Sequence, residues 1–172
     1  MTTNLHPSAF VGSSVESLPI VDAIVVNLER ACEVVPWTTL FKPGEFTLEA
    51  IESCVDGFDF ALMVLSADDI VASRGVSSNA PRDNILLELG LFIGKLGRRR
   101  TIIVKDRSID LKLPSDLAGL TCATYVPPRS GNYRSALSAA CVHIKDVISS
   151  LGIRSEFALN GAPTRSLGCT PQ

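Results

Sequence analysis

PRDNILLELGLFIGKLGRRR, residues 81–100, is the stretch on which the fold of this chain turns. At helical spacing, Ile85, Leu86, Leu89, Phe92, Ile93 and Leu96 form a broad apolar face. Asp83 or Asn84 stands where an N-cap belongs, and Pro81 just before it discourages an earlier start. Arg98, Arg99 and Arg100 close the segment, where cations complement the carbonyl end of a helix. The pattern predicts a largely buried helix over 81–97. Glu88 interrupts it, four residues after Asn84 and between Leu87 and Leu89. Such a carboxylate is either half-exposed at the solvent boundary or a desolvated acid facing a cavity, and the second is costly without a partner. Gly90 and Gly94 each cost about 1 kcal/mol relative to alanine inside a helix. Their expected use is helix–strand packing, with close approach to a ligand as the alternative.

Upstream, the apolar run AFVG (9–12) leads into Gly12-Ser13-Ser14, and a helical pattern follows from about Glu16 to Ala31. A strand entering such a turn leaves backbone N–H groups free for an anion, although GSS is no nucleotide fingerprint and an ordinary turn is the simpler reading. EVVPW (33–37) reads as a second strand, and Pro36 suits it to a sheet edge. The loop TTLFKPGEF follows, with Trp37 and Phe41 available either to anchor it or to stack on a ligand. Residues 47–55 form a short amphipathic helix with Thr47 as its cap. FDFALMVL (58–65) is a continuous apolar run, the mark of a central parallel strand buried on both faces. SADDIVASRGVSSNAP reads as a polar loop leading into the 81–97 helix.

Downstream, TIIV (101–104) and TCATYV (121–126) are two more strands, with one helical turn at 114–118 between them. A last helix runs from Asn132 to about Leu151, burying Ala136, Leu137, Ala140, Val147 and Ile148. Residues 152–172 lack any period and are expected to be a linker or disordered tail beyond a domain spanning 1–151. Strand and helix alternate throughout, so the expected class is α/β, a parallel sheet with helices on both faces. Five strands with the second at an edge fit the flavodoxin-like order 2-1-3-4-5, whose ligand crevice opens beyond the first and third strands. Gly12, Ser13, Ser14 and the start of the Glu88 helix all meet there.

Composition narrows the function classes. At 172 residues and 46% hydrophobic, the chain suits one domain with a substantial core. A net charge of −2 gives no global case for nucleic acid or an anionic membrane. No apolar run approaches the ~20 residues of a membrane span, and the first ten residues do not resemble a secretion signal, so a cytoplasmic protein is expected. Five cysteines and two histidines show no metal-ligand spacing, so no metal is expected and the thiols read as reduced packing residues.

FVGSSVE (10–16), VVPWTTLFKPG (34–44), DFALMVLSADDIVASRG (59–75), APRDNILLELGLFIGKLGRRRT (80–101) and LKLPSDLAGLTCATY (111–125) resemble, block after block, the bacterial TIR-like family. The resemblance is to the branch that serves as effector domain in cyclic-nucleotide-triggered antiphage systems (CBASS and Pycsar), including TIR–STING and TIR–SAVED fusions. It covers roughly residues 9–150 and implies a TIR fold and NAD⁺ hydrolysis, with NAD⁺ as substrate and no separate cofactor. The catalytic glutamate of the family's ELG motif falls on Glu88. Arg82, Asp83 and Asn84 match the PRDN positions bordering the pocket, Ser13 and Ser14 the first-strand loop beginning at Gly12, and Trp37 and Phe41 the mobile loop. Phe10 is implied to line the same pocket. The implied partners are other copies, through TIR–TIR contacts, and a cyclic-nucleotide sensor that this chain does not include. Pro36 is a departure that could reshape the mobile loop.

One carboxylate suits that chemistry. Breaking the nicotinamide–ribose bond passes through an oxocarbenium-like state, and the pyridinium leaves as a neutral base without needing an acid. Arg82 could hold a phosphate or orient Glu88. Two rival readings stay open: a nucleoside deoxyribosyltransferase-like enzyme using Glu88 as nucleophile, and a non-catalytic TIR adaptor. A phosphorylatable receiver domain is set aside, because it needs an acidic pair where this chain has Gly12-Ser13-Ser14.

Overall fold

Alternating side chains on buried strands fix both faces of the sheet. The computed structural model describes residues 6–40 and 47–154; Phe41 and the tail from 155 on lie outside the described residues. β1 (Ser8–Gly12) is buried along its whole length. A 3₁₀ turn at Val15–Ser17 leads to α1 (Leu18–Leu28), so the helix expected from Glu16 starts two residues later, with Pro19 in its first turn where a missing N–H is harmless. β2 (Glu33–Pro36) ends at the proline, and Trp37 opens the single turn α2 (Trp37–Leu40) instead of closing the strand. α3 (Thr47–Cys54) precedes β3 (Phe60–Leu65), which is wholly buried.

The segment expected to be a loop is instead a hairpin, β4 (Asp69–Ser73) and β5 (Val76–Ala80), paired antiparallel. Its turn places Arg74 at φ 52° and Gly75 at φ 78°, the two left-handed residues of a tight hairpin reversal. Nearly every hairpin side chain is exposed, so no burial pattern marks these strands in the sequence. α4 (Asp83–Leu96), β6 (Thr101–Asp106), β7 (Thr121–Tyr125), α5 (Tyr133–Ala136) and α6 (Ser138–Leu151) complete the described chain.

The main sheet runs β2-β1-β3-β6-β7, all parallel, which is the expected order 2-1-3-4-5 once the hairpin is left out. Pro36 lies on the edge strand. Ala9, Val11, Phe60, Leu62 and Val64 pack one face against α1 and α6; Phe10, Ala61, Met63 and Leu65 pack the other against α3 and α4. Phe10 is central to that second core, stacked on Phe92 at 4.6 Å and tilted against Phe58 at 5.6 Å.

Several expectations for the 81–100 stretch are corrected. The residue at the N-cap is Arg82, without a side-chain cap, and Asp83 is the first helical residue, its carboxylate in the first turn. α4 is buried along one side only; Leu87 is 59% exposed. Gly90 and Gly94 face open space, where a Cβ would meet nothing within 4 Å, so no packing contact among the described residues requires them. The helix stops at Gly97, whose φ of 82° closes it. Two of the arginines beyond it serve other elements. Arg98 donates to the carbonyls of Asp116 and Ala118, while Arg100 donates to those of Leu151 and Gly152 at the end of α6. The last helix is split at Leu137, and Cys141 and Ile144 are core residues where Ala136 and Val147 are only half-buried.

Candidate active site

Three separate chain segments converge beyond the carboxyl end of β1. The first half of α4 presents Arg82, Ile85 and Glu88 at intervals of three, which puts them on one side of the helix, with Asn84 beside them. Ser13, Ser14 and Val15 come from the turn after β1, and Trp37 comes from the end of β2. Together they line an open cavity of about 130 Å³. Parallel strands force this meeting, because β1 and β3 lie side by side and both deliver their chains to the same end of the sheet.

Glu88 is only 8% exposed. Among the described residues it has no hydrogen bond and no ion pair, so of its two readings the buried acid is the one realised. Burial alone pushes its pKa up to about 7. Arg82, six residues earlier, does not neutralise it. Its guanidinium is paired with Glu16 at 2.6 Å, so in this structure Arg82 turns to that carboxylate and makes no hydrogen bond or ion pair with Glu88. Glu16 is held below the usual carboxylate range, first by its backbone N–H and then by the Arg82 charge, against an opposing desolvation.

Ser13 and Ser14 are slightly more buried than Glu88. The Ser13 hydroxyl donates to the Ser14 carbonyl at 2.9 Å and accepts from the Trp37 indole N–H at 3.0 Å. That serine therefore fixes the indole against the β1 turn, and its proton is not available to a ligand. Ser14 reaches Ser17 at 3.3 Å, and Ser17 contacts Ser66 in turn. The turn is held by a chain of hydroxyls.

Of the other expected site residues, Phe10 is fully buried in the core and does not line the cavity: its strand position turns it under the sheet toward Phe58 and Phe92. Gly12 sits just beneath the cavity, where a Cβ would come within 2.8 Å of Met63 Cε and 3.0 Å of the Phe10 ring. Glycine there keeps the strand end close to its neighbours. Asp83 is exposed and outside the lining. Phe41 lies outside the described residues. Glu16, by contrast, has no marking in the sequence; its partner is 66 residues away and only the fold joins them.

No helix among the described residues is long and apolar enough to cross a membrane. A family model, the TIR domain of CAP12/Pycsar effector proteins, matches residues 8–126. The Pycsar effector protein PaPycTIR of Pseudomonas aeruginosa is 42% identical over 157 residues, which cover 88% of this chain and 51% of that protein. The Pycsar effector protein XpPycTIR of Xanthomonas perforans is 38% identical over 84% of this chain and 48% of its own length. CD-NTase-associated protein 12 of Sphingobacterium faecium is 35% identical over 73% of this chain and 38% of its own. The chain spans about half the length, or less, of these curated relatives. A match running from the first strand of the sheet to just past its last makes this chain a member of the CAP12/Pycsar effector TIR-domain family.

Proposed function

We propose that this domain hydrolyses NAD⁺ at the nicotinamide–ribose bond and acts as the effector module of a bacterial antiphage system. The observation that carries the reading is Glu88, a buried carboxylate with no protein counter-charge among the described residues, facing a cavity at the switch point of the sheet. An unpaired acid there raises the free energy of the empty site. The same feature becomes useful once a cation forms beside it.

The reaction supplies that cation. As the C1′–N1 bond lengthens, its electron pair goes to the ring nitrogen and nicotinamide leaves neutral, while positive charge builds on C1′ and the ribose ring oxygen. Glu88 stabilises that charge in a partly desolvated cavity, where a fixed carboxylate is worth more than in water. Water then adds at C1′ and releases a proton, giving ADP-ribose. Capture by a nucleophile within the same molecule would give a cyclic form instead. Trp37, held by Ser13, offers an aromatic wall to the departing base, and Arg82 offers a cation to the pyrophosphate.

The names of the relatives support the effector role, and their greater length is consistent with a sensing module that controls the TIR domain. Self-association between TIR domains is the proposed means of control. The test is to incubate concentrated protein with NAD⁺ and separate the products chromatographically, beside Glu88→Ala. Nicotinamide release by the wild type and its loss in the variant are expected. Intact NAD⁺ after prolonged incubation of the assembled protein, or equal cleavage by the variant, overturns the reading.

A further inference from the structure

A second cavity, of about 200 Å³, opens at the same end of the sheet beyond β3, β6 and β7. Its polar wall is Glu16, Ser17, Asp68, Asp106, Tyr125 and Tyr133, over a floor that includes Leu65 and Leu111. The two cavities meet at one ridge. Glu16 lines the second and its partner Arg82 lines the first, while the hydroxyls of Ser14 and Ser17 touch across the ridge at 3.3 Å. We propose that the second cavity receives the adenosine half of the dinucleotide, accepting an unphosphorylated ribose and turning away a 2′-phosphate. The proposal rests on the NAD⁺ reading and extends it from the bond that breaks to the part of the substrate that is recognised.

Three observations carry it. First, about 130 Å³ falls short of the ~300–1,000 Å³ of ordinary small-molecule sites, and the two cavities together reach the lower end of that range. A dinucleotide whose nicotinamide riboside lies beside Glu88 must run on past the rim, and Arg82 stands on the ridge it would cross. Second, Arg82 is the one cation among the described residues lining either cavity, whereas the second holds three carboxylates. A pyrophosphate therefore belongs over the ridge and a hydroxyl-bearing sugar beyond it. A phosphate placed among Glu16, Asp68 and Asp106 would be repelled by each. Third, Asp106 is only 8% exposed, and its Oδ1 already accepts the Ser108 N–H at 2.8 Å and the Ser108 hydroxyl at 2.7 Å. Its Oδ2 accepts from no described residue. That accessible acceptor, on a mostly buried side chain lining the cavity, matches a ribose hydroxyl, the pairing by which an acidic residue selects an unphosphorylated ribose in other dinucleotide sites. Tyr125 and Tyr133, in edge contact at 6.3 Å, add an aromatic wall.

The test compares NAD⁺ with NADP⁺ as substrates of the full chain at high concentration. The wild type should prefer NAD⁺ by about tenfold or more in kcat/KM. Asp106→Asn, which keeps the oxygen that Ser108 uses, and Asp68→Asn, at a half-buried position, should each cut that preference at least about threefold. The ratio is a readout that general loss of structure would not move, and thermal melts identify any variant that fails to fold. Equal use of the two dinucleotides by the wild type, or an unchanged ratio in a folded variant, overturns the proposal. Should neither dinucleotide be cleaved, the hydrolase reading fails by itself, and titration calorimetry with ADP-ribose and its 2′-phosphate decides this one. Preference for the unphosphorylated ligand that weakens in Asp68→Asn supports it; equal binding, or none, overturns it.

Discussion

At Glu88 the same burial sets both a cost and a capability. In the unfolded chain the carboxyl titrates near 4.5, and in the folded protein near about 7, because the cavity desolvates the charged form. The native state thus holds its proton more tightly than the unfolded state does. The contribution to stability is fully present below pH 4.5 and is lost as pH rises through 7, a difference of ~3 kcal/mol. Glu88→Gln removes that titration while keeping the shape. The variant should match the wild type near pH 4 and exceed it by ~2–3 kcal/mol at pH 8, as read from urea unfolding at both values. Equal midpoints at pH 8 would mean the carboxylate is not desolvated. Activity should run the opposite way, rising with pH to a plateau above about 7 as the acid ionises, and it should be absent from the variant.

Among the elements, α4 shows most clearly what a sequence discloses. Its apolar period is visible at a glance, and Ile85, Leu89, Phe92 and Leu96 are buried as that period requires. The central strands were as plain, since FALMVL has nothing polar to expose. What period cannot supply is the identity of the neighbour. Whether Glu88 would be buried depended on the turn after β1 and on Trp37, far away in the chain. Arg100 looked like the end of its own helix and serves the end of α6, because charge complementarity does not specify which carbonyls are meant. The β4–β5 hairpin left no trace at all. With Ile70 at 76% and Val76 at 62% exposure, it has no buried face to impose an alternation. Phe10 misled in the other direction: a family match of its block says nothing about which face of a strand a side chain occupies. Gly90 and Gly94 belong at this scale too. Both are helical, neither has positive φ, and neither meets anything where a Cβ would go. Gly90→Ala should therefore stabilise the fold by about 0.5–1 kcal/mol, and the double variant with Gly94→Ala by nearly the sum, seen as a higher denaturant midpoint with unchanged m-value. A loss of stability would show that these positions carry a packing role in the monomer after all.

For the whole molecule the open question is what switches the site on. The described residues leave the Glu88 cavity open to solvent on one side, and water competes with a carboxylate for the stabilisation of a cation. An isolated domain of this form should be a poor catalyst, and closure of the cavity by a second copy is the proposed remedy. Exposed apolar side chains lie close enough in sequence to the site to take part: Leu87 next to Glu88, Val15 at 59% exposure on the β1 turn, and the hairpin residues Ile70 and Val76. If association completes the site, activity follows the population of the assembled form, which falls faster than total protein on dilution. Specific activity should then drop several-fold over a roughly hundredfold dilution at fixed NAD⁺, and recover when the sample is reconcentrated. Sedimentation velocity over the same range should show larger species fading in step. The competing outcome is equally clear: nicotinamide release strictly proportional to protein concentration, from a sample that sediments as a monomer throughout, would place the whole catalytic apparatus within one chain. Glu88 would then need only the cavity it already has.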